Sequence, residues 1–225
     1  MSRSPFMLSR RSVVVGLASV PVLALCGRVS DAVAQCFETP QETEGPYWVD
    51  ERLNRSDITV DPSTGAVVPG VPLTLAITVL RADADCAPAA GVQVDVWHCD
   101  AAGRYSDEAA NDTVGEMFLR GYQVTDANGV VTFTTIYPGW YQGRATHIHV
   151  EATLNGRSIK VSQMAFPESI NNAVHATGVY ASHGSNPMTN ASDGIFADSL
   201  SSELVTPTGS VATGYAATFQ LGVAV

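Results

Sequence analysis

Two histidines, His147 and His149, are separated by a single residue in this 225-residue chain. Side chains two positions apart on a β-strand point to the same face, so both imidazoles could reach one metal ion. Two tyrosines accompany them: Tyr141 stands six positions before His147, and Tyr105 follows a Gly-Arg pair farther upstream. Imidazole and phenolate groups together predict a metal centre.

The types of these four side chains restrict the choice of metal. A histidine pair alone suits zinc, copper, nickel or iron. Tyrosine has an ordinary pKa of about 10, so two phenolates at neutral pH require a strong Lewis acid, for which ferric iron is the obvious choice. Two phenolates and one hydroxide would neutralise the charge of Fe(III), which makes the ion tolerable in a pocket of low dielectric constant. We therefore expect one non-haem Fe(III) ion per chain.

Other metal-binding β-proteins fit the sequence less well. A cupin barrel requires a glutamate four or five positions after the second histidine, whereas Glu151 follows at only two. A copper–zinc superoxide dismutase needs more histidines on other strands, and this chain has five in all. His98, His175 and His183 have no comparable spacing, and we assign them no ligand role.

The elements that must position these residues are predicted to be strands. Hydrophobic residues alternate with a period of two, as on half-buried strands. The alternating runs are residues 73–80, 92–97, 130–136, 147–152, 158–164 and 215–221. Asn128-Gly129 and Asn155-Gly156 stand directly before strands and can supply the positive φ values of tight hairpins. The pattern predicts an all-β fold, an antiparallel β-sandwich with long loops and little helix, apart from a short helix within 167–176.

Two further segments are predicted to lie outside the strands. Residues 36–55 indicate an extended arm before the sheet. Residues 180–210 are rich in Ser, Thr, Asn and Gly, which is typical of long loops. Functional sites commonly lie in such loops on a rigid sandwich.

The first 34 residues are typical of an export signal. Arg10-Arg11 form a twin-arginine pair, an apolar run follows over 13–25, and Ala32-Val33-Ala34 suits a signal peptidase. The run is too short for a membrane anchor, and Leu25 disfavours a lipoprotein attached at Cys26. We expect a twin-arginine signal peptide over 1–34, one domain over 35–225, and a bacterial protein exported to the periplasm or beyond.

Charge and cysteine content agree with an exported acidic protein. The formal net charge is −10; residues 1–34 hold four arginines and one aspartate, so the remainder carries about −13. Such a surface would be repelled by nucleic acid, and no stable membrane association is expected after signal cleavage. Cys36, Cys86 and Cys99 allow one disulfide, and the sequence leaves the pair open.

Three stretches carry a resemblance to a known family. The segment Val94-Asp95-Val96-Trp97-His98-Cys99-Asp100-Ala101-Ala102-Gly103-Arg104-Tyr105 resembles the first-tyrosine motif of the intradiol ring-cleavage dioxygenases. The segment 135–149, with Pro-Gly before Tyr141, resembles their second motif. The arm 39–47 is similar to the start of protocatechuate 3,4-dioxygenase subunits. The resemblance covers residues 37–166.

The resemblance implies roles for individual residues. The ferric ligands are Tyr105, Tyr141, His147 and His149. Arg144 matches the active-site arginine of the family, Gln163 matches its active-site glutamine, and Tyr47 lines the substrate pocket. Tyr141 would leave the metal and accept a substrate proton, while Arg144 stabilises developing negative charge.

The implied reaction is cleavage of a catechol-type ring by O2, between the two hydroxylated carbons, to a muconate-type diacid. The partners are then an aromatic diol and O2, with a homo-oligomer also expected from the family. The gap from Tyr141 to His147 is shorter than in the catechol and protocatechuate enzymes, so the chain resembles the small exported branch. The substrate remains open, and a non-catalytic binding module that retains the fold is the alternative.

Overall fold

The computed structural model describes residues 36–225, together with Met1. The predicted signal peptide over 1–34 lies outside the described residues apart from Met1, so it stays a prediction. Within the part that is described, no helix has the length and apolar character needed to cross a membrane.

Strands are the main regular elements of the described chain, and long loops connect them. In chain order they are β1 (Pro72–Arg81), β2 (Ala87–Pro88), β3 (Gln93–Trp97), β4 (Arg120–Val124), β5 (Val130–Ile136), β6 (His147–Leu154), β7 (Arg157–Ala165), β8 (Thr208–Ser210) and β9 (Gly214–Val223). Two short helices complete the fold, α1 (Glu168–His175) and α2 (Leu200–Glu203). The predicted short helix within 167–176 is therefore confirmed as α1.

These strands form two sheets. In the first, β1 pairs with β2 and β5 along one side and with β9 along the other, and β8 pairs with β9. In the second, the order is β4-β3-β6-β7, and all neighbours are antiparallel. The predicted all-β sandwich is confirmed, with one parallel pairing, between β1 and β9. More than 100 residues separate these two strands, enough for the long connection that parallel pairing requires.

The core lies between the two sheets and follows the alternation of the sequence. Along β1, Leu73, Leu75 and Ile77 are buried, while the residues between them are more exposed. Ile148 and Val150 of β6 belong to the same buried cluster. The period-two pattern therefore determines which face of each strand is apolar.

Three strands and one hairpin differ from the prediction: β2, β4 and β8 were not predicted, and β8 lies at the end of the segment 180–210 that was expected to form loops. β4 was not predicted, because the sequence Arg-Gly-Tyr-Gln-Val does not alternate in hydrophobicity. Asn155 and Gly156 both take left-handed φ values, 53° and 73°, and form the hairpin between β6 and β7. At the other Asn-Gly pair only Gly129 does so, and the chain passes there from β4 in one sheet to β5 in the other.

The arm before β1 is extended, as predicted, and is fastened to the sandwich. A disulfide joins Cys36 to Cys86, and Cys99 is free and buried. The Thr39 N–H donates to the carbonyl of Gly222 at 2.9 Å. Farther along, the Glu42 N–H donates to the Val161 carbonyl of β7 at 2.9 Å, and Gly45 lies against His149 on the outer face of β6.

Candidate functional site

The two histidines of the opening motif lie on the outer face of β6. Ile148 between them is buried in the core, as the alternation predicts. His147 and His149 nevertheless remain only 3% and 0% exposed, because aromatic side chains surround them and the arm covers His149. Gly45 of the arm has a φ of 71°, and an added Cβ would lie 3.3 Å from His149 Cε1. A glycine therefore permits this close approach.

Neighbouring strands position His149 through the register of the sheet. Trp97 on β3 and Gln163 on β7 are its cross-strand partners. The Trp97 indole stacks on the His149 ring at 4.8 Å with an interplanar angle of 4°. On the other side, Gln163 Nε2 donates to the carbonyl of Thr43 at 2.9 Å. The sheet and the arm thus fix both the plane and the position of His149.

Tyr105 reaches the same place through a tight turn after β3. The Asp100 carboxylate accepts the Arg104 N–H at 2.9 Å and also pairs with its guanidinium at 2.7 Å. Gly103 has a φ of 83°, and a Cβ there would lie 2.2 Å from the carbonyl oxygen of Trp140. Gly103 is therefore required by the turn, and the Arg104 side chain adds an ion pair to it.

The four predicted ligands come together as a closed circuit of rings. Tyr105 and Tyr141 have ring centroids 5.6 Å apart, and Tyr141 lies 5.5 Å from His147. His147 and His149 are separated by 4.6 Å, and His149 lies 6.2 Å from Tyr105. Residues from three separate segments of the chain thus face one small space.

The two imidazoles are neutral, and their Nε2 atoms face each other. Nδ1 of His147 donates to the Ala145 carbonyl at 2.6 Å, which leaves Nε2 without a proton. Burial lowers the pKa of His147 to about 3, and burial also lowers that of His149 well below its ordinary value. The two Nε2 atoms are 3.0 Å apart. Two nitrogens about 2.1 Å from one metal, at right angles, would be separated by roughly this distance.

The tyrosines supply the oxygen atoms that such a site would need. Tyr105 is 1% exposed, and its hydroxyl has no hydrogen-bond partner within the described residues. A buried hydroxyl without a partner costs about 1–3 kcal/mol. Burial raises the pKa of Tyr105 well above its ordinary value and that of Tyr141 to about 12, so deprotonation requires a strong positive charge nearby.

A metal at this place must use the tyrosines. Among residues 36–225, no group of three or more histidine, cysteine, aspartate or glutamate side chains could hold an ion. Two neutral imidazoles plus two phenolates form a complete set only for a metal that accepts hard anionic oxygen ligands. The arrangement therefore fits ferric iron.

Arg144 is held beside this cluster by two neighbours. Its Nε donates to Asp193 Oδ2 at 2.8 Å, and one terminal nitrogen donates to Gln163 Oε1 at 2.6 Å. The same Asp193 oxygen accepts the Ala145 N–H at 2.7 Å. Burial raises the pKa of Tyr141, and the positive charge of the nearby Arg144 lowers it and so offsets part of that effect. The guanidinium is thus oriented towards the ring cluster.

Tyr47 of the arm covers the cluster from the solvent side. Its ring stacks on Tyr105 at 4.5 Å and meets Tyr141 edge-on at 5.4 Å. The Tyr47 carbonyl accepts a hydrogen bond from Arg120 at 2.5 Å. Tyr47 therefore lies beside the predicted ligands, where a substrate would have to approach.

The histidines without a predicted ligand role bond elsewhere. His98 Nε2 lies 2.7 Å from Thr135 Oγ1. His175 and His183 contact the carbonyls of Pro138 and Trp140, at 3.4 and 2.9 Å. None of the three points to the ring cluster.

Sequence reasoning missed three residues of this site. Asp193 lies in a Ser-Asp-Gly segment that is typical of a surface turn, and nothing in the pattern pairs it with Arg144. Arg120 stands next to Phe118-Leu119, and a charge beside an apolar pair was the only available signal. Trp97 could have been found from register, because it ends the strand that pairs with β6.

Comparison with known proteins identifies the family. A sequence model described as Dioxygenase matches residues 43–169, which is more than half of the chain and includes every predicted site residue. The chain belongs to the intradiol ring-cleavage dioxygenase family. Asp193, which holds Arg144, lies beyond the matched part of the chain.

Individual relatives agree with this assignment. The chain is 29% identical over 166 residues to a catechol 1,2-dioxygenase of Candida albicans, covering 63% of this chain and 52% of that protein. The chain therefore spans about half the length of this curated relative.

Two solved structures resemble the fold over most of both chains. An intradiol ring-cleavage dioxygenase from Tetranychus urticae has a TM-score of 0.73 and 29% identity, and covers 84% of this chain and 95% of its own. The dioxygenase domain of a carbohydrate-binding fusion protein from Streptomyces sp. SirexAA-E has a TM-score of 0.62 and 31% identity, with coverages of 84% and 99%. Both structures therefore align with this chain over most of its length.

Proposed function

We propose that the protein is an Fe(III)-dependent intradiol dioxygenase that cleaves a catechol-type ring between its two hydroxylated carbons. The ligands would be Tyr105, Tyr141, His147 and His149. The observation that carries the proposal is the closed circuit of these rings around two converging Nε2 atoms. Family membership supports the reaction class.

In the reaction, one carbon–carbon bond of the diol breaks, and both atoms of O2 remain in the diacid product. When bound, ferric iron would hold the catechol oxygens and make the ring reactive towards O2. The protein side chains must bind the ring, take up its protons and stabilise negative charge.

Two side chains are placed for proton and charge transfer. Tyr141 is partly exposed, whereas Tyr105 is buried, so Tyr141 is the tyrosine that an entering diol meets first. As a phenolate, its Oη would accept a proton from a substrate hydroxyl. Arg144 uses Nε and one terminal nitrogen for Asp193 and Gln163, which leaves its other terminal nitrogen for substrate. That nitrogen would stabilise negative charge on the ring oxygen.

The arm closes the site. Tyr47 stacks over Tyr105, and Thr43 holds Gln163 through its carbonyl. An aromatic wall of this kind would pack against a flat substrate ring and exclude water from it. Tyr47 is therefore proposed as a substrate-binding residue.

The first experiment asks whether the purified protein binds iron and acts on a catechol. Fe(III)–tyrosinate coordination would produce a red-brown charge-transfer band, and oxygen uptake with catechol would yield a muconate. A colourless protein that binds no iron would support a non-catalytic module instead. A semialdehyde product would overturn the reaction class.

The second experiment separates chemistry from metal binding. Arg144→Leu removes the guanidinium but none of the proposed ligands, so kcat should fall far more than the iron content. An equal loss of kcat and iron would contradict the proposed role of Arg144. Arg157→Leu is the matched control, because Arg157 is exposed in the hairpin between β6 and β7, away from the ring cluster.

We further propose that the protein is exported, to the periplasm or beyond, by the twin-arginine route. The disulfide between Cys36 and Cys86 supports an oxidising compartment. Replacing Arg10 and Arg11 by lysine should keep the protein in the cytoplasm, as measured by cell fractionation. Unchanged export would contradict this route.

A further inference from the structure

We propose that the substrate is a catechol without an anionic ring substituent, either uncharged or cationic, so that catechol carboxylates are disfavoured. This inference rests on the proposed function and deepens it. The proposal follows from the charges of the side chains around the ring cluster. A carboxylate on the ring would require a cation with free donors, as in other carboxylate-binding sites.

Every cation in residues 36–225 can be accounted for. They are Arg52, Arg55, Arg81, Arg104, Arg120, Arg144, Arg157 and Lys160. Four form ion pairs away from the rings, with Asp50, Asp83, Asp100 and Glu38. Arg55 donates to backbone carbonyls, including that of Arg120 at 2.9 Å. Arg157 is exposed in the hairpin after β6, six residues from Gln163 and therefore about 20 Å away along the strand.

The two arginines beside the rings already use most of their donors. Arg144 is paired with the buried carboxylate of Asp193. Arg120 uses all three guanidinium nitrogens: Nε donates to Ser106 Oγ, and the terminal nitrogens donate to the carbonyls of Ser106 and Tyr47. Neither guanidinium therefore offers the two parallel N–H donors that pair with a substrate carboxylate.

Carboxylates outnumber these two cations on both sides of the cluster. On the Arg144 side, burial and the negative charges of Asp198 and Asp193 raise the pKa of Glu42. On the Arg120 side, burial and the charges of Asp107 and Asp50 raise the pKa of Glu51. The net charge of the surroundings is therefore negative.

The same face of the sheet adds two more acids. Asp95 and Glu151 are cross-strand partners next to the row that contains His149. Gln93 donates to Asp95 at 2.8 Å, but no cation pairs with either carboxylate in the described chain. The surrounding carboxylates would repel an anionic substituent on the substrate ring, whereas they would not repel a neutral or cationic one.

The test compares two ligands that differ in one charge, 3,4-dihydroxybenzoate and its methyl ester. Binding to the iron-loaded full-length protein is measured without O2, from the shift of the charge-transfer band and by calorimetry. We expect the carboxylate to bind roughly tenfold more weakly than the ester at low salt. The difference should shrink at ~0.5 M salt, because screening weakens charge repulsion. Equal or tighter binding of the carboxylate would overturn the proposal.

A variant identifies the source of the repulsion. Glu42→Gln with Asp198→Asn removes two charges near Arg144 and should bring the affinity for the carboxylate closer to that of the ester. Asp85→Asn makes the same kind of change in the exposed turn between β1 and β2 of the other sheet, and should leave the ratio unaltered. If the two variants behave alike, local charge does not select the substrate.

Unsubstituted catechol distinguishes failure of this inference from failure of the proposed function. If catechol shifts the band and the carboxylate binds as tightly as the ester, only the charge selection is wrong. If catechol itself causes no shift and no heat, the proposed function is wrong as well.

Discussion

Arg144 and Asp193 form a largely buried ion pair, with Nε 2.8 Å from Oδ2 and side-chain exposures of 15% and 1%. The pair joins Arg144, in the segment that carries Tyr141 and the two histidines, to a loop about 50 residues later in the chain. Because Asp193 also accepts the Ala145 N–H, it fixes the backbone just before His147. One carboxylate therefore orients both the guanidinium and the segment that leads into the proposed ligands.

Asp193→Asn tests this relationship. The amide keeps the shape of the side chain but weakens the charge-assisted bond to Arg144, so kcat should fall by about 10–100-fold while iron content and colour persist. Steady-state kinetics and metal analysis measure the two effects. Asp85→Asn is the matched control, because Asp85 lies in the exposed turn between β1 and β2 of the other sheet. Equal losses in both variants would show that Asp193 has no special role.

Tyr105→Phe should have opposite effects with and without metal. In the metal-free protein, the variant removes a buried hydroxyl that has no partner, so stability should rise by about 1 kcal/mol. With iron, the variant should lose colour and affinity for the metal. Urea unfolding and iron titration measure these changes.

Tyr137→Phe provides the comparison for Tyr105. The Tyr137 hydroxyl is also buried but donates to Asn171 Oδ1 at 2.7 Å. Its removal should lower stability by about 1 kcal/mol, regardless of iron. If Tyr105→Phe retained full colour and iron, its assignment as a ligand would be wrong.

His98 should make stability depend on pH in the acid range. Burial lowers the pKa of His98 from 6.5 to about 4, so the unfolded chain takes up the proton first as the pH falls. The stabilisation is complete above pH 6.5 and is lost progressively as the pH falls to about 4, with a total of roughly 3 kcal/mol. The measurement is the difference in unfolding free energy between the wild type and His98→Gln, at several pH values. A constant difference from pH 7 to pH 4 would contradict the shift.

Reduction of the disulfide should loosen the arm. The Cys36–Cys86 bond closes a loop across 50 positions, and removal of such a link costs about 2–4 kcal/mol. The variant Cys36→Ser with Cys86→Ser should therefore unfold at lower temperature. It should also raise KM, because Tyr47 and Thr43 belong to the same arm. A lowered melting temperature with unchanged KM would mean that the backbone bonds of residues 39–42 hold the arm by themselves.

Much of the fold follows from local pattern. The alternating runs of β1, β5, β6 and β9 place apolar residues on one face, and burial of that face specifies a sandwich. β4 was not predicted, because Gly121 stands opposite Val96 on its core-facing side and the charged Arg120 is buried on its other side, so the hydrophobicity does not alternate. The parallel pairing of β1 with β9 was not predicted either, since it joins strands distant in sequence.

The sequence by itself determined which residue types were available for chemistry: the spacing of His147 and His149 on one strand face, and the tyrosines and arginine near them. Only the tertiary structure decided that Tyr105 closes the circuit of rings, that the arm buries it, and that Asp193 holds Arg144. The physical reason is that spacing governs side-chain direction over a few residues, whereas contacts across the fold depend on how separate strands and loops pack.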